Sequence, residues 1–235
     1  LLISLELLSD EGFLIEDELK DVPDFSLDFV DFADVEVWKM ARLRQAFQNF
    51  ENNSTSEQKN IMQSWSSNSA FWLDDYATFA SMKIISGGLS WTEWPEKWKL
   101  RESAEIQLFC EKHAAEAAFH KFVQWQFFKQ WSSLRKYANQ RGIKIIGDLP
   151  IFVAYNSTEV WANPELFELD ENQQLSAVAG VPPDFFSETG QHWGNPLYRW
   201  NEMRKDGFSW WKNRLRYSLE QFNIVRIDHF RGFEN

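Results

Sequence analysis

The sequence is short of cysteine, of clustered histidine, of basic runs and of long apolar stretches, and each shortage narrows what the chain can be. A single cysteine, Cys110, excludes an intramolecular disulfide, fits a reducing compartment and reads as a small buried hydrophobe. Its four histidines, His113, His120, His192 and His229, show no metal-ligand spacing. His113 and His120 fall seven apart on a helical pattern and read as a helix-surface pair. Apolar runs are broken by charge well before the roughly 18 residues that a membrane helix needs. The opening LLISLELLSDEGFL carries Glu6, Asp10 and Glu11, which deny it the basic start and apolar centre of a signal peptide. With a net charge of −11 and no basic cluster, the chain would repel a phosphate backbone, so nucleic acid is excluded as a partner. No Gly-x-Ser-x-Gly elbow and no phosphate loop is present. The first residue is not Met and the last lies three beyond Gly232, so both ends read as cut and the chain as a fragment.

What the sequence has in abundance is aromatic surface. Thirteen Trp and 21 Phe bring the aromatic share to 17%, and such faces either fill a core or stack on sugar rings and bases. At 44% hydrophobic and 25% charged, the remainder is an ordinary globular mixture, and 235 residues suffice to bury a core without staples.

Periodicity predicts a helix over Leu1–Leu8 stopping near Gly12, another over Trp38–Phe50, a helical pair over 58–83, and a Trp-rich connector with Trp91, Trp94 and Trp98 around Pro95. Residues 101–140 are rich in Ala, Glu, Gln, Lys and Phe and predict one long helix or two joined ones, capped at Gly142. The pattern then changes. IKIIGDLPIFV (143–153) and FNIVRID (222–228) are β-branched and apolar on both faces, as buried parallel strands are. Between them lie loop chemistry and a helical pattern from about Tyr198, which makes a βα unit. The fold class expected is α/β, and the series of helices and apolar strands points to a (β/α)8 barrel.

Asp228 ends the second strand pattern. In a parallel barrel the C-terminal strand ends form the active face, so an acid placed there points toward a site. Arg226, two residues earlier on the same strand, shares its face and can pair with it, favouring the ionised carboxylate that a nucleophile needs. A structural ion pair is the competing reading, since an Arg-x-Asp triplet arises by chance in a chain this long about half the time. Asp148 ends the first strand pattern, and its competing reading is a turn cap. Two acids at two strand ends begin to resemble one site facing one cavity. The stretch VAGVPPDFFSETGQHWGNPLYRW (178–200) adds Asp184, Glu188, Gln191, His192, Trp193 and Asn195 among glycines and prolines. Carboxylates and amides there could hold paired hydroxyls, while Phe185, Phe186 and Trp193 stack on rings. The bland alternative is a rigid loop whose aromatics pack down.

On these residues the chain resembles the amylomaltase or disproportionating-enzyme family of 4-alpha-glucanotransferases. The resemblance runs through FWLDDYATF (71–79), FHKFVQWQFFKQW (119–131), GIKIIGDLPIFVAYNSTEVWANPELF (142–167), GVPPDFFSETGQHWGNPLYRW (180–200) and VRIDHFRGFE (225–234), nearly the whole chain. It implies an incomplete (β/α)8 barrel, with residues 1–100 a mainly helical portion carrying barrel insertions and residues 101–235 part of the catalytic barrel. It implies that Asp228 is the nucleophile, that Arg226 positions and supports it, and that His229 hydrogen-bonds the donor sugar. Asp148 would contact sugar on the donor side. Asp184, Phe186, Glu188, Gln191 and Trp193 would line the acceptor side on a mobile loop over residues 180–195, with Asn195 as a further substrate contact. Phe185 stands where a tyrosine is common.

In the resemblance a glutamate acid/base and a second aspartate lie downstream of Asn235. The partners implied are alpha-1,4-glucans and maltooligosaccharides of starch or glycogen metabolism; no metal or organic cofactor is implied. The location implied is the cytoplasm, or the plastid stroma in a plant or alga. An alpha-amylase-like hydrolase and a non-catalytic glucan-binding protein remain as alternatives.

Overall fold

The computed structural model describes residues 1–183, 185 and 187–233. In chain order its helices and strands are α1 (Leu5–Asp10), α2 (Phe32–Asn53), α3 (Ser56–Asn68), α4 (Ala70–Ile85), α5 (Glu96–Lys99), α6 (Ser103–Lys112), α7 (Ala114–Gln140), β1 (Ile146–Leu149), α8 (Thr158–Ala162), β2 (Val178–Val181), β3 (Gln191–Pro196), α9 (Trp200–Lys205), α10 (Ser209–Gln221) and β4 (Ile224–Ile227). The chain divides into two compact units, one of residues 1–81 with 113–134 and one of residues 82–112 with 135–235. Among the described residues no helix is long and apolar enough to cross a membrane.

The first unit is helical, and its helices start where side chains can take up free backbone N–H groups. Ser4 caps α1, Asp31 accepts from the N–H groups of Ala33 and Asp34 at the start of α2, and Thr55 forms a reciprocal box with Gln58 at α3. Because of the Asp31 cap, α2 begins six residues before the expected Trp38. The core joins Leu8, Phe13, Leu43, Phe50, Phe122 and Trp125. Phe13 meets Phe50 edge-on at 5.4 Å, a geometry that suits the ring quadrupoles. Two histidine expectations are overturned. His113 lies between α6 and α7 rather than within a helix, and His120 is buried, packed against Tyr76 and Phe119. The helix face it occupies is therefore the packed one.

In the second unit α7 ends at Gln140, and Gly142, at φ 75°, turns the chain while its N–H reaches Asn139 O. Strand β1 pairs with β4 in parallel, Ile146 to Ile224 and Asp148 to Arg226, with α10 packed against both. The strands are shorter than the apolar runs that foretold them, and they are not covered on both faces. Ile143, Ile146 and Ile224 are exposed, whereas Gly147 and Leu149 face inward. A two-stranded sheet with helix on one side leaves its other face open. Between β1 and β4 the chain also makes an antiparallel ribbon, β2 with β3, where the sequence reads as loop. Cys110 is half-buried rather than enclosed.

Trp161 is fully buried, with Trp94 edge-on at 5.8 Å and its Nε1 donating to Trp98 O at 2.9 Å. Much of the aromatic surplus is therefore core.

Candidate active site

Parallel pairing brings the C-terminal ends of β1 and β4 side by side. Asp148 and Arg226 are register partners, and Asp228 follows two residues after Arg226, its N–H bonded to Leu149 O at 3.2 Å. Asp148, Arg226 and Asp228 thus share one end and one face of the sheet, with Ile146 and Ile224 farther back on that face. All three charged side chains are exposed and form an open surface rather than the walls of an enclosed cavity. A cavity of about 330 Å³ in this unit is lined by Trp200, Arg204, Phe208, Trp211, Leu215 and Phe233, none of them an expected site residue.

The pairing differs from expectation in one respect. Arg226 makes its hydrogen bonds to Asp148, with Nε to Oδ1 at 2.6 Å and Nη2 to Oδ2 at 2.5 Å, and not to Asp228. Residues i and i+2 on a strand lie about 7 Å apart along it, whereas register neighbours lie about 5 Å apart across it, so the planar fork meets the nearer carboxylate squarely. The hydrogen bonds and charge of Asp148 hold Arg226 above its already high range, and the Asp228 charge adds to this from farther away.

His229 takes a left-handed backbone conformation, φ 50°, which a non-glycine residue seldom adopts and which turns the chain sharply off β4 just after Asp228. Its ring meets Trp193 edge to face at 4.8 Å. Trp193, on β3, also packs near Phe152 at 6.2 Å and donates its Nε1 to Gln191 Oε1 at 2.9 Å. Asn195 donates Nδ2 to Val153 O at 2.9 Å, which ties β3 to the segment leaving β1. The ribbon therefore lies beside the strand ends through Trp193 and Asn195. Glu188 is exposed in the turn joining β2 to β3, beside the Ser187 Oγ to Gly190 O bond of 2.7 Å. Asp184 and Phe186 lie outside the described residues.

Residues that the sequence reading passed over stand just behind the site. Tyr198 OH donates to Ile151 O at 2.7 Å, and Arg214 Nη2 donates to Pro150 O at 2.8 Å. Burial pushes the Tyr198 hydroxyl up to about 12, against the opposing pull of Arg214, so it stays a donor at any ordinary pH. Their only sequence signal was a Tyr and an Arg sixteen apart beside tryptophans. Among the described residues no group of three or more His, Cys, Asp or Glu could hold a metal ion.

Exposed carboxylates with a fixed guanidinium, flanked by an aromatic ribbon, suit the binding of a polyhydroxylated ring and attack on it. Comparison with known proteins points the same way. The pattern of glycoside hydrolase family 77, described as 4-alpha-glucanotransferase, matches residues 1–235. A 4-alpha-glucanotransferase of Thermus thermophilus is 47% identical over 233 residues, covering 99% of this chain and 46% of that protein. A chloroplastic/amyloplastic 4-alpha-glucanotransferase of Solanum tuberosum is 39% identical over 237 residues, covering 99% and 40%. Among solved structures, an amylomaltase from Streptococcus agalactiae in complex with acarbose superposes with a TM-score of 0.93 at 36% identity, covering 99% of this chain and 47% of that one. The chain spans about half the length of the curated relatives it matches. Mixed helix and strand, the parallel strand-end cluster and the match along its entire length place this chain in the 4-alpha-glucanotransferase family, glycoside hydrolase family 77.

Proposed function

We propose that the whole protein carrying this chain transfers alpha-1,4-glucan segments to the 4-hydroxyl of glucose or a maltooligosaccharide by a retaining double displacement. The observation that carries the reading is the cluster of Asp148, Arg226 and Asp228 on one end and face of two parallel strands. Asp228 attacks the anomeric carbon and forms a covalent glucosyl intermediate, while Arg226, held by Asp148, keeps positive charge beside it. Asp148 and His229 contact the donor sugar. A glutamate downstream of this chain protonates the leaving oxygen and then activates the acceptor hydroxyl, at the roughly 5–5.5 Å separation of a retaining pair.

The ribbon of β2 and β3 acts as a lid beside the strand ends, with Glu188, Gln191, Trp193 and Asn195 serving the acceptor side; the same role is assigned to Asp184 and Phe186 from the resemblance alone. Excluding water from the intermediate favours transfer over hydrolysis. The sheet belongs to a (β/α)8 barrel to which residues 101–235 contribute strands and residues 1–100 helical insertions. Supporting this, the open face is apolar at Ile146 and Ile224 and charged at its C-terminal end, as the interior and active face of a barrel are. A cytoplasmic location, or the plastid stroma in a plant, agrees with the single cysteine and with the chloroplastic naming of the plant relative.

The test is release of glucose from maltotriose by the full-length protein and by its Asp228→Asn variant. We expect longer maltooligosaccharides to accompany the glucose, and turnover to fall on the order of 10³-fold or more in the variant. New reducing ends without longer products would mean a hydrolase. An active Asp228→Asn variant would place the nucleophile elsewhere.

A further inference from the structure

The segment 150–153 leaves β1 directly after Asp148 and Leu149, beyond the reach of the β4 ladder, and the carbonyls of Pro150, Ile151 and Val153 are held by side chains. Arg214 takes Pro150 O with Nη2 at 2.8 Å and approaches Ile151 O with Nη1 at 3.4 Å. Tyr198 OH donates to the same Ile151 O at 2.7 Å, and Arg214 Nη1 stands 3.3 Å from that hydroxyl. Asn195 holds Val153 O. A backbone segment without a strand partner must satisfy its carbonyls elsewhere, and here two side chains from the β3–α10 region and one from β3 itself do so.

Arg214 is a costly choice for such work. It is partly buried, its guanidinium packs 5.2 Å from the Trp210 ring centre and 5.0 Å from that of Trp211, and burial lowers its pKa. Among the described residues no carboxylate lies in ion-pair contact with it. Glu159 acts on it only from a distance, its own Oε2 being taken by Trp210 Nε1 at 2.8 Å. A cation removed from water and bonded to neutral oxygens gains less than one that meets a carboxylate, so packing alone would favour an apolar side chain at this position. What the guanidinium supplies instead is direction. Two donors in a rigid plane fix two successive carbonyls, and the second is fixed again by Tyr198.

We propose that Arg214, seconded by Tyr198, is a positioning residue for the reaction: it fixes the exit of β1 and thereby the Asp148 carboxylate that holds Arg226 beside Asp228. Neither Arg214 nor Tyr198 touches the reacting sugar. The proposal rests on the reading of Asp228 as nucleophile, and its test is arranged so that the two can fail separately.

The experiment uses the full-length protein, its Arg214→Met variant and its Arg214→Lys variant, with Tyr198→Phe as the variant that loses only a hydroxyl should Arg214→Met not fold. Competent sites are counted by trapping the covalent intermediate with a fluorinated glycosyl fluoride, so that turnover is read per site and not per milligram. In Arg214→Met, kcat per site should fall about tenfold or more while KM moves less than about threefold, since small misplacement of supporting groups costs rate before affinity. Arg214→Lys should recover part of the loss. A per-site kcat within about twofold of the unsubstituted protein would overturn the proposal, because a residue that only stabilises the fold changes how many sites are competent, not how fast each works.

If the unsubstituted protein transfers no glucose, the functional reading fails and hydrogen exchange decides positioning alone. Faster exchange over residues 148–153 in Arg214→Met, with exchange in α2 unchanged, supports the proposal; unchanged exchange over 148–153 overturns it.

Discussion

Arg226 spends its guanidinium on Asp148, its neighbour across the sheet, at 2.6 and 2.5 Å, while Asp228, two residues along its own strand, acts on it only through space. A fork that grips one carboxylate squarely cannot swing to follow the other. In the proposed reaction Asp148 is thus a holder of Arg226 as well as a sugar contact, and the two strand ends are coupled by one planar pair.

This separates stability from activity. The side chains of Arg226 and Asp148 are 68% and 52% exposed, so water and salt screen the pair and it adds little to stability. Asp148→Asn should therefore shift the denaturation midpoint little, while maltotriose turnover of the full-length protein falls about 10- to 100-fold. A variant with normal turnover would show that Arg226 needs no anchor.

Trp193 packs against the residue that follows Asp228, its ring 4.8 Å from that of His229. Trp193→Ala should lower the ratio of transfer to hydrolysis about three- to tenfold by admitting water to the intermediate, with smaller loss in total bond cleavage. Measuring reducing ends and longer maltooligosaccharides in the same digest checks this. An unchanged ratio would count against the ribbon as a lid.

The strands that carry the acids were legible because β-branched apolar runs such as 143–153, opening after Gly142, and 222–228 have few other uses. Their ladder was not. Ile143 belongs to the same apolar run as Ile146, yet bonding to the partner segment begins only at Ile145, whose carbonyl accepts from Ile224 N at 3.3 Å, a matter of register between segments 78 residues apart. For the same reason the sequence paired Arg226 with Asp228: spacing along one strand reveals a shared face, whereas the neighbour across the sheet depends on register. The β2–β3 ribbon was hidden by Gly180, Pro182, Pro183, Gly190 and Gly194, residues that normally mark loops and here occur within or around short strands. His120 was misplaced because helical spacing gives a residue's angle around the axis and says nothing of what packs on that side.

Gly147 illustrates a constraint that composition conceals. A Cβ built there would lie 2.2 Å from Phe222 Cδ2 and 2.3 Å from Cγ, atoms close to the root of a ring that cannot simply swing aside. Gly147→Ala should destabilise the protein by about 1–3 kcal/mol through overpacking, read as a lowered denaturant midpoint. Phe222→Leu, which clears the ring, should recover part of that loss. If Gly147→Ala alone is neutral, the strand has room to shift, and the closeness of Phe222 is not what demands glycine.

Acid should loosen the helical unit first, beginning at His120. Its imidazole is buried, and burial pushes its pKa below the ordinary 6.5; Glu116, with Oε1 3.3 Å from Nε2, pulls the other way, and Arg44 adds to the depression. Tyr76 also faces it, its ring 6.4 Å away and its hydroxyl raised by burial, so it stays uncharged here. Glu116 itself is held below its ordinary 4.5, first by the hydrogen bonds of Arg44 at 2.7 and 3.0 Å.

Both folded pKa values are depressed, so in both cases the unfolded chain binds protons before the folded one does. Stability is complete above 6.5, falls as His120 comes under demand below that value, and falls again below 4.5 as Glu116 is protonated. One group changes stability by at most about 1.4 kcal/mol per pH unit. His120→Gln should therefore give a flatter midpoint-against-pH curve between 6.5 and 5, with a fall still present below 4.5, where Arg44 continues to hold Glu116 down. Glu116→Gln should lessen that lower fall, to which Glu6, also held below 4.5, contributes as well, and cost about 1.5–3 kcal/mol at pH 7, the worth of hydrogen bonds to a charged partner. Equal slopes for His120→Gln and the unsubstituted protein between 6.5 and 5 would mean that the attraction of Glu116 cancels the cost of burial, leaving His120 as ready to take a proton folded as unfolded.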